Sequence, residues 1–290
     1  MVPENELPDF DAQWNFGNPA ASEQTFRSIL AEQMAAPLDY RLALRTQIAR
    51  TLGLQRKFDE AHALLDEVER ELSNGGVARI RYLLERGRVL NSSSRALEAR
   101  PLFMQAMELA RAQAQDRLAV DAAHMVAITL KGQEALAANL EALKMAEASS
   151  QEGARKWKGS RDNNIGWSYH DLGNYEQALV FFQKGVEFQQ EQGNAQRLHV
   201  ARWTVARALR SLGRLEEALA QQRELAGDSP YVEEEIAECL LALGRADEAR
   251  AHFAKAYASL KDEPGLTPER VLRLKELAGY GSRPQTLSAR

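Results

Sequence analysis

The sequence predicts an all-α solenoid of about six helix pairs, with one added helix at each end. Two observations predict this class of fold. The chain is rich in alanine and has only 9 prolines, none between Pro101 and Pro230, which favours helix over a long stretch. A pattern of small and apolar residues also recurs six times, and stacked repeats of this kind share a continuous core.

The composition argues against several other classes of protein. The 290 residues contain no apolar run of about 18–20 residues, so we expect no membrane-spanning helix. The start of the chain lacks the basic and apolar regions of a secretory signal, and we expect a cytoplasmic protein without a membrane partner. A single cysteine excludes a disulfide framework and a cysteine-built metal site.

The formal net charge of −4 is carried by the start of the chain. Glu4, Glu6, Asp9 and Asp11 fall there, before any Lys or Arg, while the remainder holds equal numbers of acidic and basic residues. A body without net positive charge is a poor match to a general nucleic-acid binder, so we expect no nucleic-acid partner.

The elements follow one another in a simple order. Asn18-Pro19 is typical of a helix start, and Thr267-Pro268-Glu269 predicts another near the end of the chain, closed by Gly279. Helices of this kind cover the core faces that an open solenoid leaves exposed. The predicted segments are a leader (1–17), a capping helix (18–37), the solenoid (38–262), a second capping helix (263–280) and a tail (281–290).

Each repeat is marked by an alanine that opens its second helix. Twelve residues before the marker stands a small residue, which lets the two helices approach closely, and nine before it stands an apolar residue on the same face. The markers are Ala61, Ala99, Ala135, Ala178, Ala218 and Ala249, and the small residues are Ala49, Gly87, Ala123, Gly166, Ala206 and Ala237. Gly173, Gly213 and Gly244 are suited to the turns between the helices.

The stretch from Asn164 to Ala178, NIGWSYHDLGNYEQA, resembles a tetratricopeptide repeat in nearly every signature position. The copies around Ala218 and Ala249 are plainer, and the third repeat departs furthest, with Leu130 at the turn and Asn139 where a large apolar residue is usual. The resemblance covers about residues 38–262. It implies a right-handed superhelix that serves as a non-catalytic scaffold for a protein or peptide. The predicted repeats are 42–74, 80–113, 116–149, 159–192, 199–227 and 230–262.

The segment 150–160 is the longest insertion between repeats. It is the expected place for a change of curvature or a hinge, although Trp157 favours packing against a neighbour.

Few residues suggest catalysis. The five histidines have no metal-ligand spacing, and the glycine-rich pieces lack the Lys-Ser/Thr of a phosphate loop. Tyr169, His170 and Asp171 are adjacent on a helix and cannot converge as a relay. Cys239 is best interpreted as a buried small hydrophobe. We therefore expect no enzyme activity, metal or cofactor.

Binding residues are expected on the first helices, whose concave face is free for a ligand in such a solenoid. Arginine and tryptophan are frequent interface anchors, and arginine pairs well with carboxylates. The predicted groove residues are Arg50, Arg88, His124, Asn163, Asn164, Trp167, His170, Trp203, Arg207 and Arg210. They predict an acidic or carboxylate-bearing segment with an apolar anchor as the ligand. The alternative is a wall of charges that pair with Glu85 and Asp121, with Trp203 buried against the next repeat.

The tetratricopeptide proteins that clamp a C-terminal carboxylate do so with Lys and Asn. Here Asn163 and Asn164 are suitably placed, but Arg207 is the nearest substitute for the lysines, which argues against such a clamp.

The composition of the leader suggests that it competes with a ligand for the groove. Residues 9–16, DFDAQWNF, alternate acidic and aromatic residues and complement a basic groove with tryptophans. The leader could occupy the groove of its own or a neighbouring molecule, or Trp14 and Phe16 could only staple it to the first helices. Self-association through the leader or the end helices is a related expectation. A peptide-sensing regulator and a self-assembling structural protein are the alternative functions.

Overall fold

The computed structural model describes residues 7–155, 158–227, 229–263 and 265–280. Contacts divide the chain into two compact units, unit 1 with residues 1–161 and unit 2 with residues 162–290. The regular structure within the described residues is helical throughout, which confirms the predicted all-α class. The handedness of the superhelix stays a prediction.

Unit 1 opens with a short 3-10 helix, Phe10–Gln13, and then stacks helices α1 to α8. These are α1 (Pro19–Glu32), α2 (Leu38–Leu54), α3 (Phe58–Glu71), α4 (Val77–Ser92), α5 (Ala96–Ala112), α6 (Asp116–Ile128), α7 (Gly132–Ala148) and α8 (Glu152–Arg155). The first helices α2, α4 and α6 each pack against the second helix that follows them. We call the side of the unit that they form the first-helix face.

Unit 2 contains α9 from residue 162 onward and the helices that follow. These are α9 (Lys158–Asp171), α10 (Tyr175–Glu191), α11 (Ala195–Ser211), α12 (Leu215–Glu224), α13 (Pro230–Ala242), α14 (Ala246–Leu260) and α15 (Pro268–Leu277). Here α9, α11 and α13 are the first helices, and they form the first-helix face of this unit. Its core runs from Ala178 to Ala278 without a gap between pairs.

The capping helices begin where the sequence predicts. The Asn18 side chain accepts a hydrogen bond from the Ala21 N–H, and Thr267 does the same for Arg270. Helix α1 is shorter than the predicted 18–37, since it ends at Glu32. Buried Phe26 and Leu274 anchor α1 and α15 to the cores of their units.

The small residues of the pattern lie where the two helices of a pair touch. The Gly166 Cα faces the Phe182 ring so closely that an added methyl carbon would lie 2.5 Å from a ring carbon, and Gly87 faces Phe103 in the same way. A large aromatic ring therefore takes the space that the missing side chain leaves. Phe182 and Phe103 are both fully buried as a result.

The turns inside the pairs use a left-handed residue. Gly173 and Gly244 both have φ of 77°, as expected for glycine at a helix end. Arg56 and Ser94 adopt φ of 63° and 67° without being glycines, so the shape of the turn persists where the sequence departs from the pattern. In the third pair the left-handed residue is Gly132, two positions after the Leu130 at which the sequence placed the turn.

Part of the predicted insertion at 150–160 is helical. Helix α8 packs on α6 and α7, and the boundary between the units follows at residues 161 and 162. Trp157 lies outside the described residues, as do the tail 281–290 and residues 1–6 of the leader.

Candidate functional site

Two tryptophans and an arginine meet on the first-helix face of unit 2. The Trp167 and Trp203 ring centroids are 6.2 Å apart, and the Arg207 guanidinium carbon lies 5.8 Å and 5.9 Å from them. Trp167 also packs edge-on against Phe182 of the core, at 5.2 Å. Both indoles are half-buried. The cluster thus has a fixed base and an accessible upper surface, which suits an interface anchor.

Arg207 and Arg210 share one internal carboxylate. The Arg210 guanidinium donates to both oxygens of Glu235, at 2.8 Å and 3.2 Å, and Arg207 donates to one of them. Glu235 is only 3% exposed. Burial by itself lowers the pKa of Arg210, but the hydrogen bond and charge of Glu235 raise it above its ordinary value. These arginines are thus held in place from within the unit.

Helix α15 supplies two further arginines that the sequence analysis missed. Arg270 donates to both oxygens of Glu234, at 3.0 Å and 2.5 Å, and Arg273 binds Glu238 through two nitrogens. The R-x-x-R spacing places both arginines on one side of α15, opposite the acidic residues of α13. The R-x-x-R spacing could have revealed these two arginines in the sequence, because a helix that only caps the solenoid does not require arginines at that spacing.

Trp203 lines two cavities in unit 2. One, of about 540 Å³, is lined by the two tryptophans, four arginines and three glutamates described above. The other, of about 280 Å³, is bordered mainly by apolar surface, including Val200, Tyr231 and Val232. The Trp203 Nε1–H donates to the Tyr231 carbonyl at 3.3 Å, which fixes the indole between a charged space and an apolar one.

The other predicted residues of unit 2 lie on α9. The His170 Nε2 lies 2.9 Å from the Ser211 hydroxyl, and the His170 ring packs edge-on against Trp167. Burial and the Arg207 charge lower the pKa of His170. Asn163 and Asn164 are partly buried on the same helix, and the Asn164 carbonyl accepts from Ser168 at 3.0 Å.

In unit 1, Arg88 belongs to a buried network. Its guanidinium donates to Glu85 at 2.6 Å and to Asp121 at 2.5 Å, and Glu85 is 1% exposed. Burial alone raises the pKa of Asp121, but Arg88 and Arg50 hold it below its ordinary value. This is the pairing with Glu85 and Asp121 that the sequence left open as an alternative. His124 lies half-buried on the same helix as Asp121, α6.

Arg50 faces the leader. Its guanidinium carbon lies 5.3 Å from the Trp14 ring and 5.3 Å from the Phe16 ring, and these two rings stack at 4.7 Å. One Arg50 nitrogen also comes within 3.6 Å of Glu85. Arg50 therefore links the internal network to the leader.

The described part of the leader lies on the first-helix face of its own unit. Asp11 binds Arg81 of α4, with one contact at 3.1 Å, and Arg117 of α6 at 2.5 Å. The Trp14 Nε1–H donates to Gln47 of α2 at 3.2 Å. Three first helices are thus bridged by one segment. These contacts agree with occupation of the face by the leader and with stapling by Trp14.

Comparison with known proteins agrees with this architecture. A sequence model of the tetratricopeptide repeat matches residues 163–192. Among solved structures with the same helical arrangement is the apo form of RapI, with a TM-score of 0.71 at 13% identity. The chain therefore contains a tetratricopeptide repeat at residues 163–192. Residues 163–192 are one of its helix pairs, α9 and α10, and the assignment of the other pairs as repeats stays a prediction.

Further structures are similar over most of this chain. The match to RapI covers 95% of this chain and 80% of RapI. The apo quorum sensor NprR from B. thuringiensis has a TM-score of 0.67 at 15% identity, with 97% of this chain and 84% of that one covered. A signal-transduction ATPase with a tetratricopeptide repeat sensor, from Pyrococcus horikoshii, scores 0.66 at 16% identity. That match covers 89% of this chain but only 41% of the length of the ATPase. No curated protein matches at the level of sequence.

Among the residues that the structure describes, no helix combines the length and the apolar character that a membrane span requires. Within the same residues, no group of three His, Cys, Asp or Glu side chains is arranged to hold a metal ion.

Proposed function

We propose that the chain is a non-catalytic protein that binds a peptide or protein segment on the first-helix face of unit 2. The observation that carries the proposal is Trp203, which lines both the charged and the apolar cavity beside Arg207. A segment that crosses Trp203 can place a polar group on one side and an apolar side chain on the other. The fold supports this, since NprR of similar fold is known in complex with its cognate peptide NprX.

The charge of the larger cavity favours an acidic ligand. It is lined by four arginines and three glutamates, and each glutamate is already engaged by an arginine. One positive charge is in excess, and guanidinium groups keep free N–H donors after one carboxylate is bound. A carboxylate of the ligand would complete this set, whereas a basic side chain would face four guanidinium groups.

The smaller cavity favours an apolar anchor. Val200 is 54% exposed and Tyr231 is 37% exposed, although both are large hydrophobic residues. Covering them removes apolar surface from water and stabilises a complex. The proposed ligand is therefore an extended segment with a carboxylate and an apolar side chain on either side of Trp203.

The regulatory alternative has support of its own. Among the proteins of similar fold, one is described as a quorum sensor and another carries the repeats as a sensor. A peptide-sensing regulator would use the same site. As for its surroundings, we propose a cytoplasmic protein without a nucleic-acid partner. Its single, buried cysteine and the balanced charge of the residues after the leader are in keeping with this.

Selection from a random heptapeptide library on the full chain tests the proposal. We expect selected peptides to combine Asp or Glu with an aromatic or large aliphatic residue. Synthetic versions should bind Trp203→Ala and Arg207→Ala at least tenfold more weakly in calorimetric titration. Arg214→Ala is the matched control, because Arg214 pairs with Glu217 at an exposed position on the same helix pair. Equal affinity for the Trp203→Ala variant and the wild type would contradict the proposed site.

A further inference from the structure

The leader shows what a second binding site in this protein can hold. We infer that the first-helix face of unit 1 binds a partner segment of the form aromatic-Asp-x-x-Trp, and that the leader is its tethered, displaceable substitute. The inference rests on the proposed function, since it assumes that these faces take up peptides. It concerns unit 1, however, and the variants of Trp203 and Arg207 in unit 2 test that assumption separately.

The acidic position is defined by Asp11. Its two oxygens bind Arg81 and Arg117, residues on neighbouring first helices, and Asp11 is the only carboxylate that contacts either arginine among the described residues. Burial on its own raises the pKa of Asp11, but the two arginines hold it below its ordinary value. Without the leader, Arg81 and Arg117 would lose this carboxylate, because Glu85 and Asp121 already pair with the arginines at positions 50 and 88. The site therefore requires an acid from outside the solenoid.

The aromatic positions flank this acid at fixed distances. The Phe10 ring lies 5.0 Å from the Arg81 guanidinium carbon and 5.3 Å from the Tyr40 ring. Trp14, three residues after Asp11, donates to Gln47 and lies beside Arg50. Cation–π and edge-on ring contacts of this kind select aromatic residues over aliphatic ones. Together they give the spacing aromatic-Asp-x-x-Trp.

The described part of the leader is held at a few separate points, through side chains and through the backbone of Pro8 and Asn15. Within residues 7–17 the regular structure is the four-residue helix Phe10–Gln13, and Phe16 is 56% exposed. A tethered segment acts at an effective concentration of about millimolar, so a partner must bind more tightly or at two sites to replace it. Displacement would expose Arg50, Arg81 and Arg117 to the partner in place of the leader.

The test uses the full chain and a fluorescein-labelled peptide with the sequence of residues 7–17, LPDFDAQWNFG. Asp11→Ala in the protein releases the leader's own anchor and leaves both arginines for the probe. We expect fluorescence anisotropy to show at least tenfold tighter binding to Asp11→Ala than to wild type. Glu32→Ala, with the same charge change on the exposed side of α1, should behave as wild type. The probe with Asn in place of its second Asp, and the double variant Asp11→Ala/Arg117→Ala, should lose this gain.

Equal binding of the probe to wild type and folded Asp11→Ala would overturn the inference and make the leader a permanent cap. If the variant fails to fold, hydrogen exchange on the wild type decides the question. Saturating probe should speed exchange in residues 9–16, and unchanged exchange would count against displacement. If the wild type sediments as a dimer and Asp11→Ala as a monomer, the occupant of the face is a second copy of this chain. That result would overturn the inference of a separate partner segment. A failure here, with binding in unit 2 intact, leaves the proposed function standing.

Discussion

Replacing Gly166 with alanine tests the close approach of the two helices in a pair. The new methyl carbon would lie 2.5 Å and 2.6 Å from two carbons of the Phe182 ring, against about 3.5–4.0 Å for a normal contact. Phe182 is 1% exposed, so its ring cannot move aside into solvent. Overpacking of this kind costs about 1–3 kcal/mol, while exchanging glycine for alanine in a helix contributes about 0.8–1.0 kcal/mol. We expect a net loss of about 1 kcal/mol.

Gly185→Ala is the matched control. Gly185 lies inside α10 of the same pair, and a methyl group there meets nothing within 4 Å. This variant should gain about 0.8–1.0 kcal/mol in stability from helix propensity alone. Since that gain is common to both variants, the difference between them isolates the clash, at about 1–3 kcal/mol. Urea unfolding followed by circular dichroism measures it, and equal stabilisation of both variants would refute the close approach.

Three further predictions concern stability and reactivity. Arg88→Met should destabilise unit 1 by about 3 kcal/mol in urea unfolding, because Glu85 and Asp121 would lose a buried cation. A loss of stability under about 1 kcal/mol would show that the network is dispensable. Ser94→Gly should stabilise the chain by about 1 kcal/mol by relieving a left-handed φ of 67°, and a lower unfolding midpoint would argue against that turn. Burial, together with the charge of Glu235, raises the pKa of Cys239 to about 12. Iodoacetamide at pH 8 should therefore label Cys239 only after unfolding. Rapid labelling of the native chain would contradict the burial of this thiol.

The repeat architecture was accessible from the sequence because its determinants are local. The spacing between Gly166 and Ala178 reflects the geometry of one helix pair, and a glycine opposite a large ring is a steric requirement within that pair. The capping signals at Asn18 and Thr267 act over three residues and were predicted for the same reason. The third turn does contain Leu130, but its left-handed residue is Gly132, which lies two positions later than in the other pairs.

The site was less accessible because its contacts join distant residues. The contacts of Asp11 with Arg81 and Arg117 span 70 and 106 residues, so the sequence could suggest a complementary leader but not its partners. The sequence predicts Arg88 at a groove position, but whether it faces a ligand or Asp121 depends on packing between neighbouring pairs. The contact of Arg270 with Glu234 likewise requires knowing that α15 folds beside α13.

Photocrosslinking tests the central claim, peptide binding on the first-helix face of unit 2, most directly. A library-selected peptide with a benzophenone next to its apolar anchor is bound to the full chain, irradiated and mapped by mass spectrometry. The account predicts adducts on α11 and α13 around Trp203 and Tyr231, lost when unlabelled peptide competes. Adducts confined to the second helices α10, α12 and α14 would contradict it.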